Sequence, residues 1–129
     1  MDEISSLFER FLRSYQRNEV IFEEGNQGDE MFIIHRGSVR ILKKTTKGEE
    51  RPLSILGPGE FFGEMALIDN SPRSASAIAE EQGTQLIVLD KSRFVYMVQQ
   101  LPDFSLAIMR KLSQRLRGTN MQRVSDLDG

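Results

Sequence analysis

Residues 20–42 read VIFEEGNQGDEMFIIHRGSVRIL, and this stretch decides how the middle of the chain folds. It holds three short, mainly apolar runs, Val20–Phe22, Met31–Ile34 and Val39–Leu42, which are separated by turn residues such as glycine and asparagine. Runs of this length are typical of strands, and closely spaced turn signals favour antiparallel pairing. The stretch therefore predicts three successive strands joined by short connections.

The same pattern continues towards the C-terminus. Further short apolar runs occur at Leu53–Leu56 and Leu86–Leu89, and Gly57-Pro58-Gly59 is a strong turn signal between them. Many short strands with frequent turns are typical of an antiparallel barrel or jelly roll. We therefore predict a jelly-roll-like antiparallel β-barrel over residues 18–90, in a chain that is mainly β with flanking helices.

Both flanks of this region have helical spacing. Apolar residues recur every three or four positions in residues 4–15, which predicts an amphipathic N-terminal helix within residues 1–17. Residues 91–129 are predicted to form C-terminal helices, with Pro102 ending one helix and opening the next. A length of 129 residues fits a single domain over residues 1–129.

The composition excludes several classes of protein. There is no cysteine and only one histidine, His35, so thiolate metal sites, disulfide scaffolds and histidine-rich metal centres lack their ligands. The net charge of -2 disfavours a globally basic nucleic-acid binder, and we expect no direct DNA binding. No apolar run is long enough to span a membrane, and the N-terminus lacks a signal peptide, so we expect a cytoplasmic protein.

The segment Phe61–Ala79, FFGEMALIDNSPRSASAIA, has the residue types of an anion site. Gly63 permits close backbone approach, and the helix-forming residues that follow it would present free amides to a phosphate or carboxylate. Arg73, stiffened by the preceding proline, could grip two anionic oxygens, with the Ser74 hydroxyl beside it. Glu64 would suit a sugar hydroxyl. On residue types alone, a surface ion pair between Glu64 and Arg73, with glycines that serve only as turns, is the simpler explanation of the segment.

At these residues the chain resembles the cyclic nucleotide-binding domain family, which includes the bacterial catabolite activator and the regulatory subunits of cyclic-AMP-dependent kinase. The resemblance is carried by VIFEEGNQGDEMFIIHRGSVRI at residues 20–41, GPGEFFGEMALI at residues 57–68 and PRSASA at residues 72–77. It implies a ligand-binding regulatory module, with no catalysis, no cofactor and no metal. The implied ligand is a 3′,5′-cyclic purine nucleotide, cyclic AMP in preference to cyclic GMP.

The resemblance also assigns roles to individual residues. It implies that Glu64 holds the ribose 2′-hydroxyl and that Arg73 holds the exocyclic oxygens of the cyclic phosphate. Supporting contacts are expected from the segment around them and from the C-terminal lid helix, at Gly63, Met65, Ala66, Ser74, Ala75, Thr119 and Asn120.

Other readings remain open at this level. A cupin-like barrel enzyme is one alternative, and an interaction module with an unused pocket is another. The output is expected to pass through an unidentified effector protein or a further output domain, and a homodimer through the C-terminal helix is possible on the sequence. Asp29 and Glu30 are assigned to a turn after Gly28, without chemistry.

Overall fold

A computed structural model of the chain describes residues 10–111, 113 and 114, which fall into two compact units that divide after Lys91. The first unit contains a short helix, α1 (Met65–Ile68), and the second begins within helix α2 (Lys91–Gln100). The strands of the first unit are β1 (Leu12–Tyr15), β2 (Val20–Phe22), β3 (Glu30–Arg36), β4 (Val39–Lys44), β5 (Glu50–Leu56), β6 (Phe61–Phe62), β7 (Ser76–Ala79) and β8 (Thr84–Asp90).

These strands form two four-stranded antiparallel sheets. One has the order β1-β8-β3-β6 and the other the order β2-β7-β4-β5. Hydrogen bonding among the described strands does not close the two sheets into one barrel, so the architecture is a jelly-roll-like sandwich. The predicted fold class, mainly β and jelly-roll-like with helices, is confirmed.

The core lies between the two sheets. The first sheet contributes large side chains such as Phe32, Ile34 and Leu86, whereas the second contributes Val39 and small residues from β7. Strand β8 runs through the middle of the first sheet between β1 and β3, and its four central residues are all buried. Continuous burial of this kind explains why the sequence of β8 is an unbroken apolar run rather than an alternating one.

The prediction of a helix through residue 17 is wrong for residues 12–15, which form β1. Leu12 pairs with Ile87, and Tyr15 pairs with Thr84 at the edge of the first sheet. The apolar spacing of Leu12 and Tyr15 fits a helix face, but pairing along the edge of β8 gives the backbone N–H and C=O groups partners that the ends of a short helix lack. Residues 1–9 lie outside the described residues.

The second unit is helical where it is described. Helix α2 ends at Gln100, and residues 102–111 form a further helical segment, so the predicted break lies next to Pro102. The ring centroids of Phe94 and Phe104 lie 6.0 Å apart in an edge-to-face arrangement, and the Ser105 hydroxyl donates to the Val98 carbonyl at 3.0 Å. These contacts hold the two helical segments together within the unit.

Candidate functional site

The glycine and helix predicted to form an anion site are present in the first unit. Strand β6 ends at Phe62, and Gly63 follows it with φ of +79°, a left-handed conformation that side chains rarely adopt. Glu64 is the N-cap residue of α1. Its main-chain carbonyl accepts hydrogen bonds from the amides of Leu67 at 3.0 Å and Ile68 at 3.1 Å. The first amides of a helix have no acceptor within the helix, so the N-terminal end favours an anion. In α1 these first amides belong to Met65 and Ala66.

The backbone of Arg73 is fixed by a neighbouring loop. Its amide donates to the Asn26 carbonyl at 2.9 Å, and its carbonyl accepts from the amide of Gly25 at 2.7 Å. Three residues after Arg73, the Ser76 hydroxyl accepts a hydrogen bond from the Glu24 amide at 2.9 Å. The loop between β2 and β3 therefore holds position 73 by main-chain bonds that do not depend on the arginine side chain.

The side chain of Arg73 is buried, with 7% of its surface exposed. Nη1 donates to the Gly63 carbonyl at 3.0 Å, and Nη2 donates to the Glu30 carbonyl at 2.8 Å. Nε is also buried and has no hydrogen-bond partner among the described residues. A guanidinium has five N–H groups, so donors remain for an anionic ligand.

Two glycines make room for this guanidinium. A Cβ at Gly28 would overlap Nη2, Cζ and Nε of Arg73, and a Cβ at Gly63 would lie 2.7 Å from Nη1. Any side chain larger than hydrogen at either position would displace the arginine or itself. The glycine spacing is therefore tied to the position of Arg73.

Burial and nearby carboxylates act in opposite directions on the charge of Arg73. Desolvation lowers the pKa of Arg73 below its ordinary value, because the charged form loses water, while Glu30 and Asp29 raise it. A guanidinium is not deprotonated in proteins under physiological conditions, so Arg73 keeps its positive charge. The site therefore contains a desolvated cation, which attracts an anion more strongly than an exposed one does.

Glu64 and Arg73 are both in the interior, so the alternative of a surface ion pair is wrong. The Glu64 side chain is fully buried, and its main chain joins Gly63, whose carbonyl accepts from Arg73. Burial of a carboxylate is costly unless it is hydrogen-bonded. The buried position of Glu64 therefore distinguishes it from a carboxylate that a turn leaves on the surface.

The remaining predicted site residues divide into three groups. Met65 and Ala66 lie in α1, with Ala66 buried. Ser74 is exposed and Ala75 is buried, and both precede β7, which begins at Ser76. Thr119 and Asn120 lie outside the described residues.

The sequence interpretation missed three neighbours of Arg73. Phe22 lies beneath the guanidinium, with its ring centroid 4.2 Å from Cζ, and Glu30 supplies a carbonyl acceptor. Gly28 supplies space. These residues are 43 to 51 positions from Arg73, and the only signal for them was the motif-like glycine spacing of residues 20–41.

The described residues contain no group of three or more His, Cys, Asp or Glu side chains that could hold a metal ion. His35 is exposed on β3. In that same part of the chain, none of the helices has both the length and the apolar character needed to cross a membrane.

Known proteins resemble this chain over most of its length. The family described as the cyclic nucleotide-binding domain matches residues 12–101. A cyclic AMP receptor protein of Thermus thermophilus is 36% identical over 122 residues, which is 95% of this chain and 55% of the relative. A CRP-like cAMP-activated global transcriptional regulator of Mycobacterium tuberculosis is 33% identical over 82% of this chain and 47% of its own length. The chain thus spans about half the length of these relatives.

Solved structures agree with the sequence comparison. The catabolite activator protein of Thermus thermophilus superposes with a TM-score of 0.82 at 34% identity, covering 94% of this chain and 57% of that protein. An EAL enzyme in its cAMP-bound form gives a TM-score of 0.63 at 41% identity, covering 84% of this chain and 29% of that enzyme. The first unit buries both Glu64 and Arg73. The family match over residues 12–101 and the similarity to these relatives show that this chain belongs to the cyclic nucleotide-binding domain family.

Proposed function

We propose that this chain is a regulatory sensor that binds a 3′,5′-cyclic purine nucleotide, prefers cyclic AMP to cyclic GMP, and acts without catalysing a reaction. The observation that carries the proposal is the buried guanidinium of Arg73 beside the Gly63 carbonyl. A desolvated cation with unused N–H groups is suited to a cyclic phosphate, whose single charge is spread over two exocyclic oxygens.

The neighbouring groups complement the rest of such a ligand. The start of α1 offers amides to the phosphate, and Glu64 offers a carboxylate that can accept hydrogen bonds from the ribose 2′-hydroxyl. A carboxylate close to a phosphate is repulsive unless a hydroxyl lies between them, and ribose supplies one at that distance. This combination favours a sugar phosphate over inorganic phosphate.

The base preference rests on the residues that follow Arg73 and on the relatives. The Thermus relative that aligns with 95% of this chain is named for cyclic AMP. A cGMP-dependent protein kinase of Drosophila melanogaster is also 34% identical, over 83% of this chain. Ser74 is exposed at the site and could meet either ligand, so we base the preference for adenine on the Arg-Ser-Ala order at residues 73–75.

Calorimetric titration with the two nucleotides tests both parts of the proposal. We expect one site per chain, with cyclic AMP bound roughly two- to tenfold more tightly than cyclic GMP, the difference that one net hydrogen bond supplies. 5′-AMP is the matched control, because it carries the same base and sugar without the cyclic phosphate. Equal affinities would remove the base preference, and no heat with either cyclic nucleotide would contradict the function itself.

We further propose that ligand binding shifts the C-terminal helical region from an open to a closed population. The shift is limited by the difference in ligand affinity between the two states. Hydrogen exchange with and without cyclic AMP should show added protection after Leu101 when the nucleotide is bound. Strand β8 is the internal control, because its buried amides should exchange slowly in both samples. Equal protection of the C-terminal region in both samples would exclude the switch.

The signal leaves the sensor through a partner protein or an attached output domain. The regulators and kinases that resemble this chain are longer than it, which is the support for this part of the proposal. A contact between two copies through the C-terminal helix is a further proposal, and sedimentation of the protein with and without cyclic AMP measures it directly.

A further inference from the structure

The guanidinium of Arg73 is stacked on an aromatic ring. Its Cζ lies 4.2 Å from the ring centroid of Phe22 and 5.8 Å from that of Phe32. Attraction between a cation and a ring face operates within about 6 Å and is strongest for a desolvated cation. Arg73 is buried, and Phe22 is the nearer of the two rings, so Phe22 is its principal aromatic partner.

The ring of Phe22 is itself held in place. Its centroid lies 5.8 Å from that of Phe32 and 5.8 Å from that of Phe62, and the last two rings are stacked at 5.2 Å. Phe32 and Phe62 are opposite each other on β3 and β6 and are both buried. The three rings form a packed cluster that cannot rearrange without disturbing the core.

Stacking and hydrogen bonding restrain the guanidinium in complementary ways. The ring of Phe22 packs against the guanidinium, and the carbonyls of Gly63 and Glu30 each accept a hydrogen bond from one of its terminal nitrogens. A planar ion fixed in both respects presents its remaining N–H groups in one direction. A ligand then binds without first having to order the side chain.

We propose that Phe22 is a positioning residue for the phosphate-binding arginine. The inference rests on the proposed function. Without the ring, the guanidinium would occupy several orientations, and the apparent affinity would fall in proportion to the fraction that remains competent. Phe22 would thus affect binding through Arg73 rather than by contact with the nucleotide.

The test compares cyclic AMP affinities of three variants with the wild type. Phe22→Leu keeps an apolar side chain but removes the ring, and we expect affinity on the order of tenfold weaker if about a tenth of the orientations stay competent. Phe22→Tyr restores an aromatic face and should bind within about twofold of wild type. Ile41→Ala is the matched control, because it removes a partly buried apolar side chain that packs on the same core but lies outside the three-ring cluster. If Phe22→Leu does not fold, Phe22→Met serves the same purpose.

A double-mutant cycle separates positioning from loosening of the core. Once Arg73→Lys has removed the planar ion, adding Phe22→Leu should change affinity by less than about twofold, because there is no guanidinium left to orient. A full additional loss in that background would overturn the positioning role, as would Phe22→Leu that binds like wild type or Ile41→Ala that binds as weakly as Phe22→Leu. Wild-type protein that binds neither cyclic nucleotide would instead overturn the proposed function together with this role.

Discussion

Replacement of Arg73 with alanine is expected to weaken cyclic AMP binding by about 2–5 kcal/mol, which is the range for removing one member of a buried charge pair. At about 1.4 kcal/mol per factor of ten, the dissociation constant rises roughly 30- to 4,000-fold. The large effect follows from burial, because water cannot replace the lost guanidinium at a desolvated site.

Two controls distinguish loss of the ligand contact from loss of the fold. Arg51→Ala removes the same charge from an exposed position on β5 and should leave the affinity unchanged. Arg73→Lys keeps the charge but not the fork that binds two oxygens, so its affinity should fall between those of wild type and Arg73→Ala. The thermal midpoint of each ligand-free variant shows whether it is folded. A folded Arg73→Ala protein with wild-type affinity would remove Arg73 from the binding site.

Gly63→Ala is expected to impair both stability and binding. A left-handed backbone costs a residue other than glycine about 1–3 kcal/mol, which should appear as a lower free energy of unfolding. The new methyl group would also lie 2.7 Å from Nη1 of Arg73 and push it from its carbonyl acceptor. Since a hydrogen bond of a charged group is worth about 1.5–3 kcal/mol, we expect affinity for cyclic AMP to fall about 10- to 100-fold.

Two other glycines separate these effects. Gly59 has φ of +86° with nothing within 4 Å of its would-be Cβ, so Gly59→Ala should lower stability and leave affinity unchanged. At Gly28 no left-handed strain is present, and the three heavy atoms nearest to the new Cβ all belong to the guanidinium, so Gly28→Ala should lower affinity more than stability. Chemical denaturation and calorimetry measure the two quantities. A Gly63→Ala variant that matches Gly59→Ala in affinity would show that the crowding of Arg73 has no consequence for the ligand.

The fold could be predicted where local pattern and tertiary environment agree. The apolar runs at Met31–Ile34 and Leu86–Leu89 are strands because their side chains fill the sandwich core. The prediction failed at Leu12–Tyr15, where only a neighbouring strand decides between helix and sheet. Leu12 and Tyr15 continue the helical spacing of residues 4–15, so periodicity alone assigns them to the helix.

The site residues could be predicted from the sequence where they lie in one short segment. Glu64 and Arg73 lie nine positions apart and could be singled out by residue type. Phe22 and Glu30, which restrain the guanidinium, come from β2 and from the start of β3, and no local spacing relates them to Arg73. Contacts between elements that are distant in sequence depend on strand order, which short runs and turns do not determine.

The main-chain anchoring of Arg73 has a consequence for how the site can diverge. Both hydrogen bonds of its peptide groups, to Asn26 and from Gly25, would survive replacement of the side chain. A single codon change at this position can therefore abolish or redirect recognition while the scaffold keeps its shape. Proteins that share this sandwich can therefore differ in ligand response when they differ at position 73, even where their architecture is the same.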